Sequence, residues 1–392
     1  KFKKVKFEIK EINKYLNFNY YGDEKFTFFK NIYQVPPGNF GYIENKKLIL
    51  KKIKNIKIYK KVSDNHLLKL IKNEIKNCLI SDVKTAILIS EGIDSRSILD
   101  ISKKIFKKNL KLFNLEFENF DNSSFKNSYK KNYLTNLVST KFFKKDLIRS
   151  FDQASKICEA PPLSLFTLGM IKMFKNISKK KYKVVLNGQG IDEIFGGYET
   201  IFKPQKDKNI YHPSGNALSK NKQDYLIKTL KNISLKRSIK RIRAQMAFQN
   251  KIPKNLNQYD KISMNFSIEN RSPYLSSKLS SLIKILNFEQ IYKNGHTKYI
   301  FRKILFKLTK NKYYLRKKIY KQEPQSEFML DNENFLKIRK ILNKKNYCDQ
   351  FFLKKNILQY LYEFKRKKNN GFIIWQYLSL NSFLNNFKKI NF

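Results

Sequence analysis

Cysteine and histidine are scarce in this chain, and each scarcity excludes something. Three cysteines, Cys78, Cys158 and Cys348, stand far apart with no CxxC among them, which excludes a disulfide framework and a thiolate zinc site and leaves buried thiols as the expectation. Three histidines, His66, His212 and His296, are too few and too dispersed for a His-rich metal centre. No run approaches the roughly eighteen uncharged apolar residues of a membrane span, and Lys1-Phe2-Lys3-Lys4 opens no signal-peptide core. The expectation is a cytoplasmic protein with no membrane partner. Acids are the last shortage: 31 Asp and Glu stand against 82 Lys and Arg, a formal charge of +51.

Such a charge invites a nucleic-acid reading, but its distribution argues against one. Ten arginines leave seventy-two lysines, spread along the whole chain rather than gathered on one segment. A uniform lysine surface binds polyanions weakly and in a salt-dependent way, so no specific nucleic-acid partner is expected. The shortage of acids also makes any carboxylate pair inside a glycine-rich loop stand out.

With 392 residues, 41% of them hydrophobic, the chain can build a buried core and two or three domains. Its most informative stretch begins Ala86-Ile87-Leu88-Ile89, stops at Ser90-Glu91-Gly92-Ile93-Asp94-Ser95, and resumes apolar periodicity at Ile98, Leu99, Ile101 and Ile105. That pattern reads as strand, tight turn, helix. Outward N–H groups, the helix dipole and the Ser90 and Ser95 hydroxyls make the turn a phosphate trap. A carboxylate at Asp94 beside such a trap makes sense with Mg²⁺, which takes one or two carboxylates plus phosphate oxygens. Further strands are expected over 110–117 and 182–186, with a helix over about 165–177 and mainly helical sequence from about Tyr225. Strands alternating with helices predict an α/β fold with a parallel sheet, whose ligands bind at the carboxyl ends of the strands.

A second loop follows the strand ending at Leu186: Asn187-Gly188-Gln189-Gly190-Ile191-Asp192-Glu193-Ile194-Phe195-Gly196-Gly197-Tyr198, with four of the twelve glycines within ten residues. Glycine there permits close backbone approach or positive φ. Asp192 meets the same metal as Asp94 if the loops lie side by side; alone, the stretch also reads as a plain strand-to-helix turn capped by acids.

Together the loops resemble a known family. Ser90 to Ser95 is similar to the SGGxDS pyrophosphate motif of the ATP-pyrophosphatase class, and Gly188 to Tyr198 to the second signature of asparagine synthetases and relatives such as β-lactam synthetases. Ser267 to Leu275 resembles the family's siExRxPfLD segment, Gly295 to Arg302 its G-x-x-K-x-x-x-R helix start, and Arg316 to Pro324 its R-x-K segment. The resemblance implies an ATP-pyrophosphatase domain over 62–392 with a helical C-terminal part. It implies a ligase that amidates a carboxylate, aspartate or a related small or sugar acid, through an acyl-adenylate with pyrophosphate release. ATP and Mg²⁺ are the implied cofactors. Ser90, Gly92, Asp94 and Ser95 would hold pyrophosphate, Asp94 and Asp192 the metal, and Leu88, Leu115 and Gly188 the adenosine. Lys298 would stabilise charge at the α-phosphate, Lys318 would be a second phosphate contact, and Gln189 would serve the ammonia step.

Residues 1–61 resemble the end of the family's glutaminase domain and linker, through Thr27, Phe29, Ile32, Pro36, Pro37 and Gly38. The N-terminal cysteine that is that domain's nucleophile is absent, so this chain as given is not expected to hydrolyse glutamine: either the sequence is a fragment, with ammonia derived from glutamine, or the protein takes ammonia directly, and a homodimer is open as its assembly. Four positions depart from the family: Glu91 and Glu116 replace glycines, Gln189 stands where a Glu is common, and Ser276 replaces an Asp. Glu91 and Glu116 support a second expectation, a non-catalytic nucleotide-binding partner of a complete synthetase.

Overall fold

The computed structural model describes residues 6–19, 21, 25–53, 62–121, 125, 129, 136–199, 243–244, 246–247, 251–318, 323–368 and 371–388. The expected helical sequence at 225–242 lies outside them. The first helix, α1 (Ile9–Phe18), starts where the Glu8 carboxylate accepts the Lys10 N–H at 3.3 Å and ends at Asn19 in the left-handed region, φ 48°. Its buried stripe of Ile12, Tyr15 and Leu16 packs with Phe28 into the core that also receives the last helix. From that helix the Gln376 amide donates to the Tyr15 and Leu16 carbonyls, each at 3.2 Å. Strands β1 (Asn39–Glu44) and β2 (Lys47–Lys52) form a hairpin. Its two-residue turn, Asn45-Lys46, has positive φ at both positions, the geometry that matches strand twist.

Helix α2 (Asp64–Leu79) is capped by the Ser63 hydroxyl, which accepts the His66 N–H at 3.2 Å. It delivers the chain to β3 (Thr85–Leu88), α3 (Ile93–Lys104), β4 (Lys111–Phe117) and β5 (Leu137–Phe142). Helices α4 (Leu147–Cys158) and α5 (Leu165–Lys179) then lead to β6 (Val184–Leu186), α6 (Ile191–Phe195), α7 (Lys251–Asn265) and β7 (Glu269–Arg271). The five strands form one parallel sheet in the order β5-β4-β3-β6-β7. The α/β class with a parallel sheet is therefore as expected, and β5 and β7 extend it beyond the three strands legible in sequence.

Alternate residues of the central strands enter two different cores. Ala86, Phe113 and Val185 join the core built on α4, α5 and the C-terminal helices. Ile87, Leu112, Val184 and Leu186 join the core built on α2, α3 and the helix α8 (Tyr299–Thr309). Burial on both faces is what a continuous apolar run requires and what a parallel sheet provides. Beyond β7 the described residues are mainly helical, ending in α9 (Asn332–Asn343), α10 (Lys354–Lys365) and α11 (Phe372–Lys388). Cys158 and Cys348 are buried as expected, whereas Cys78 is only partly so. Among the described residues no helix is long and apolar enough to cross a membrane.

Candidate active site

Strands β3 and β6 are neighbours, yet the chain leaves β3 toward β4 and β5 on one side and returns to β6 on the other. This is the topological switch point of the sheet, where the loops after adjacent strands diverge and leave a crevice. The loops are 89–92 and 187–190. Gly188 makes their contact possible: a Cβ there would lie 2.8 Å from the Ser95 nitrogen and 2.9 Å from Asp94. Gly190 has φ +95°, and a Cβ on it would reach 2.4 Å from Leu275. In the first loop the Ser95 hydroxyl accepts the Ser90 N–H at 3.0 Å and lies 3.1 Å from the Ser90 hydroxyl. Gly92 has φ −68°, and Glu91 has no positive φ either. Replacement of glycine by Glu91 therefore costs no backbone strain.

The centre of the site is ionic. A short hairpin, β8 (Tyr292–Lys293) and β9 (His296–Thr297), ends at Lys298, which takes φ 58° as the residue preceding α8. A left-handed conformation costs a residue with a Cβ roughly 1–2 kcal/mol, and here it aims a 2% exposed lysine at two carboxylates. The ammonium donates to Asp94 Oδ1 and Oδ2 at 2.7 and 2.8 Å and lies 2.6 Å from Asp192 Oδ1. Its three donors match those three oxygens. Lys318 adds bonds to Asp192 Oδ1 at 2.8 Å and to the Gly197 carbonyl at 3.2 Å. Gly197 leaves room for this contact, since a Cβ would fall 1.6 Å from Asp192 Oδ1.

Burial alone would raise the Asp192 carboxyl, but Lys298 and Lys318 outweigh it and hold the group well below the usual carboxylate range. Asp94 stays above its ordinary value because burial outweighs its share of Lys298 and Asp192 repels it. Burial pulls Lys298 down, and the two carboxylates more than compensate. Two carboxylates facing one point beside a loop of hydroxyl and N–H donors suit a hard cation whose remaining ligands are phosphate oxygens. Among the described residues no group of three His, Cys, Asp or Glu forms a metal cluster by itself.

A cavity of about 320 Å³ opens over this centre. Ser90, Gly92 and Asp94 form one wall, Lys298, Arg316 and Lys318 another, and Leu115, Phe117, Phe120 and Phe166 an apolar end. Leu115 fits against Gly169 of α5, where a Cβ would lie 2.6 Å from its methyl. Leu88, Ser95, Gly188 and Gln189 are not part of that wall. The Gln189 N–H donates to Asn187 Oδ1 at 2.9 Å, while its Oε1 is buried with no hydrogen-bond partner among the described residues. Glu269 and Arg271 form a pair with bonds of 3.0 and 2.9 Å, and Arg271 also donates to the Cys78 and Ile80 carbonyls. This ties β7 to the end of α2.

Sequence reasoning missed Arg96, Tyr129 and Tyr313, which lie behind the first loop, and Glu323, whose carboxylate accepts the Phe166 N–H at 2.9 Å at the apolar end. The one available signal was an arginine among the apolar positions of α3, four residues before Asp100. The tyrosines come from distant segments with no local mark.

A family model described as asparagine synthase matches residues 66–385. The chain is similar to "Asparagine synthetase [glutamine-hydrolyzing] 2" of Bacillus subtilis (strain 168), with 31% identity over 148 residues. That match covers 35% of this chain and 19% of the Bacillus protein.

Proposed function

We propose, for a chain that belongs to the asparagine synthase family, that the cavity binds ATP and that the protein amidates a carboxylate. The observation that best supports this reading is the Asp94–Lys298–Asp192 cluster at the switch point, directly beside the Ser90–Ser95 loop. In this reading the triphosphate lies along Ser90, Gly92 and Ser95, and the adenosine extends over Leu115 with Leu88 and Gly188 beneath it. Asp94 and Asp192 would hold Mg²⁺, which when bound neutralises charge on the phosphates.

A carboxylate is a poor electrophile, so it must be activated before ammonia can displace an oxygen from it. The acceptor carboxylate oxygen attacks the α-phosphorus, the bond to pyrophosphate breaks, and an acyl-adenylate forms. Ammonia then attacks the acyl carbon, AMP leaves, and the nitrogen loses a proton. The first step gathers negative charge at the α-phosphate, where fixed cations contribute most. Lys298 is one such cation. Its N–H groups are all taken by Asp94 and Asp192, so contact with a phosphate oxygen requires it to release one of them. Lys318 is a second. Gln189 Oε1, an acceptor without a partner among the described residues, is assigned to an ammonia N–H; a neutral amide orients ammonia but does not take its proton.

The acceptor class is aspartate or another small or sugar acid, with ammonia supplied free or from glutamine. In the same reading residues 1–61 are the end of a glutaminase domain and its linker, 62–392 form the synthetase domain, and the assembly is a homodimer. The test is carboxylate-dependent formation of AMP and pyrophosphate with ATP, Mg²⁺ and ammonium across a panel of acids. Failure with every acid while ATP still binds would favour the nucleotide-binding partner over the enzyme.

A further inference from the structure

Arg96 follows Asp94 by two residues on α3 and is 3% exposed. Its guanidinium carbon lies 3.9 Å from the ring centroid of Tyr129 and 3.9 Å from that of Tyr313. At that distance a guanidinium stacks on the ring face rather than its edge, and its flat, delocalised charge suits two rings at once. Each ring in turn reaches the first loop. The Tyr129 hydroxyl donates to the Ser90 carbonyl at 2.7 Å, and the Tyr313 hydroxyl donates to the Glu91 carbonyl. Two consecutive peptide units are thereby held through their carbonyls. Because a trans peptide sets its N–H opposite its C=O, the N–H groups of Glu91 and Gly92 turn away from the tyrosines, and that of Gly92 meets the Ser90 hydroxyl at 3.3 Å.

We propose that Arg96 is a positioning residue: by stacking on Tyr129 and Tyr313 it fixes the Ser90 and Glu91 carbonyls and so presets the loop amides for a phosphate chain. The proposal rests on the nucleotide reading of the cavity given above. It assigns Glu91 a definite place, since the position where a flexible glycine would be expected is held by two phenols instead. An unbound loop with glycine would have to order on binding, and that ordering entropy is removed here in advance.

The experiment uses the full chain carrying Arg96→Lys, Arg96→Met, Tyr129→Phe or Tyr313→Phe. Hydrogen exchange of the peptide spanning the loop, without nucleotide, reports the ordering directly. The KM for ATP and kcat for pyrophosphate release report its use. Loop exchange should accelerate about tenfold or more in every variant while β3 is unchanged, and the KM for ATP should rise about tenfold with kcat held within about threefold. Arg96→Lys should not rescue, because a point charge cannot stack on both rings. Unchanged loop exchange, rescue by lysine, or a fall in kcat at constant KM would each overturn the proposal. If the variants bind ATP as tightly as the wild type, the clamp alone fails. If the wild type binds no ATP, the nucleotide reading fails and the functional part of the clamp with it, while exchange still decides whether Arg96 orders the loop.

Discussion

Lys298 and Asp94, 204 residues apart in the chain, form a two-bond ion pair in which the ammonium meets both carboxylate oxygens at 2.7 and 2.8 Å. The pair joins the first turn of α3 to the start of α8, and Asp192 in the first turn of α6 closes it at 2.6 Å. Breaking a buried pair by removing one partner leaves the other uncompensated, which makes the lysine the sensitive member.

Lys298→Met should destabilise the protein by about 3 kcal/mol at neutral pH, with a characteristic pH dependence. In the wild type the depressed Asp192 carboxyl contributes stability that is present above its unfolded value of about 4 and lost only in stronger acid. In the variant Asp192 keeps Lys318 while Asp94 loses its ion pair and still faces Asp192, so the already raised Asp94 carboxyl moves further above its unfolded value and the deficit grows as pH rises through it. Urea unfolding at about pH 4.5 and about pH 7.5 checks this. An equal deficit at both would contradict it.

Asp192→Asn should lower pyrophosphate release by about a hundredfold or more, because it removes a proposed metal ligand and the partner of Lys318. Near-ultraviolet circular dichroism should show the native fold. Turnover within a few fold of the wild type would remove Asp192 from the site.

Gly188→Ala and Gly92→Ala should separate cleanly. At Gly188 the new methyl meets backbone at 2.8 and 2.9 Å, so the two loops must part, at a cost of about 1–3 kcal/mol. At Gly92 it meets only the Ser90 hydroxyl at 3.4 Å on a backbone that alanine adopts readily. Thermal unfolding should show a marked loss for the first and little change for the second. Equal losses would contradict the close approach of the loops.

Polyanion binding should be weak, without sequence preference, and largely lost between about 50 and about 300 mM salt, as expected for a charge of +51 spread along the chain. A complex that survives high salt and discriminates between sequences would contradict the uniform-surface reading.

The parts of this molecule legible in sequence are those whose cause is local. The run ending at Ile89 is apolar because it is buried on both faces, and the glycines after Leu186 mark a backbone that must approach another. Strand β5 escaped notice because Ser139 and Lys141 interrupt its apolar character at the sheet edge, and β7 because three residues make no period. Tyr313 was illegible for a different reason: its hydroxyl serves a carbonyl 222 residues away, and nothing near it in the chain announces that. The same holds for Glu91, whose tolerance depends on a φ that sequence does not display.

The central claim is that the cavity activates a carboxylate by adenylation. Its most direct test is exchange of labelled pyrophosphate into ATP, with Mg²⁺ and a panel of acids, in the absence of ammonium. The account predicts exchange that depends on one class of carboxylate, stops on adding ammonium as product forms, and is lost in Asp192→Asn. Formation of ADP and phosphate in place of exchange would contradict it, as would the absence of exchange with every acid.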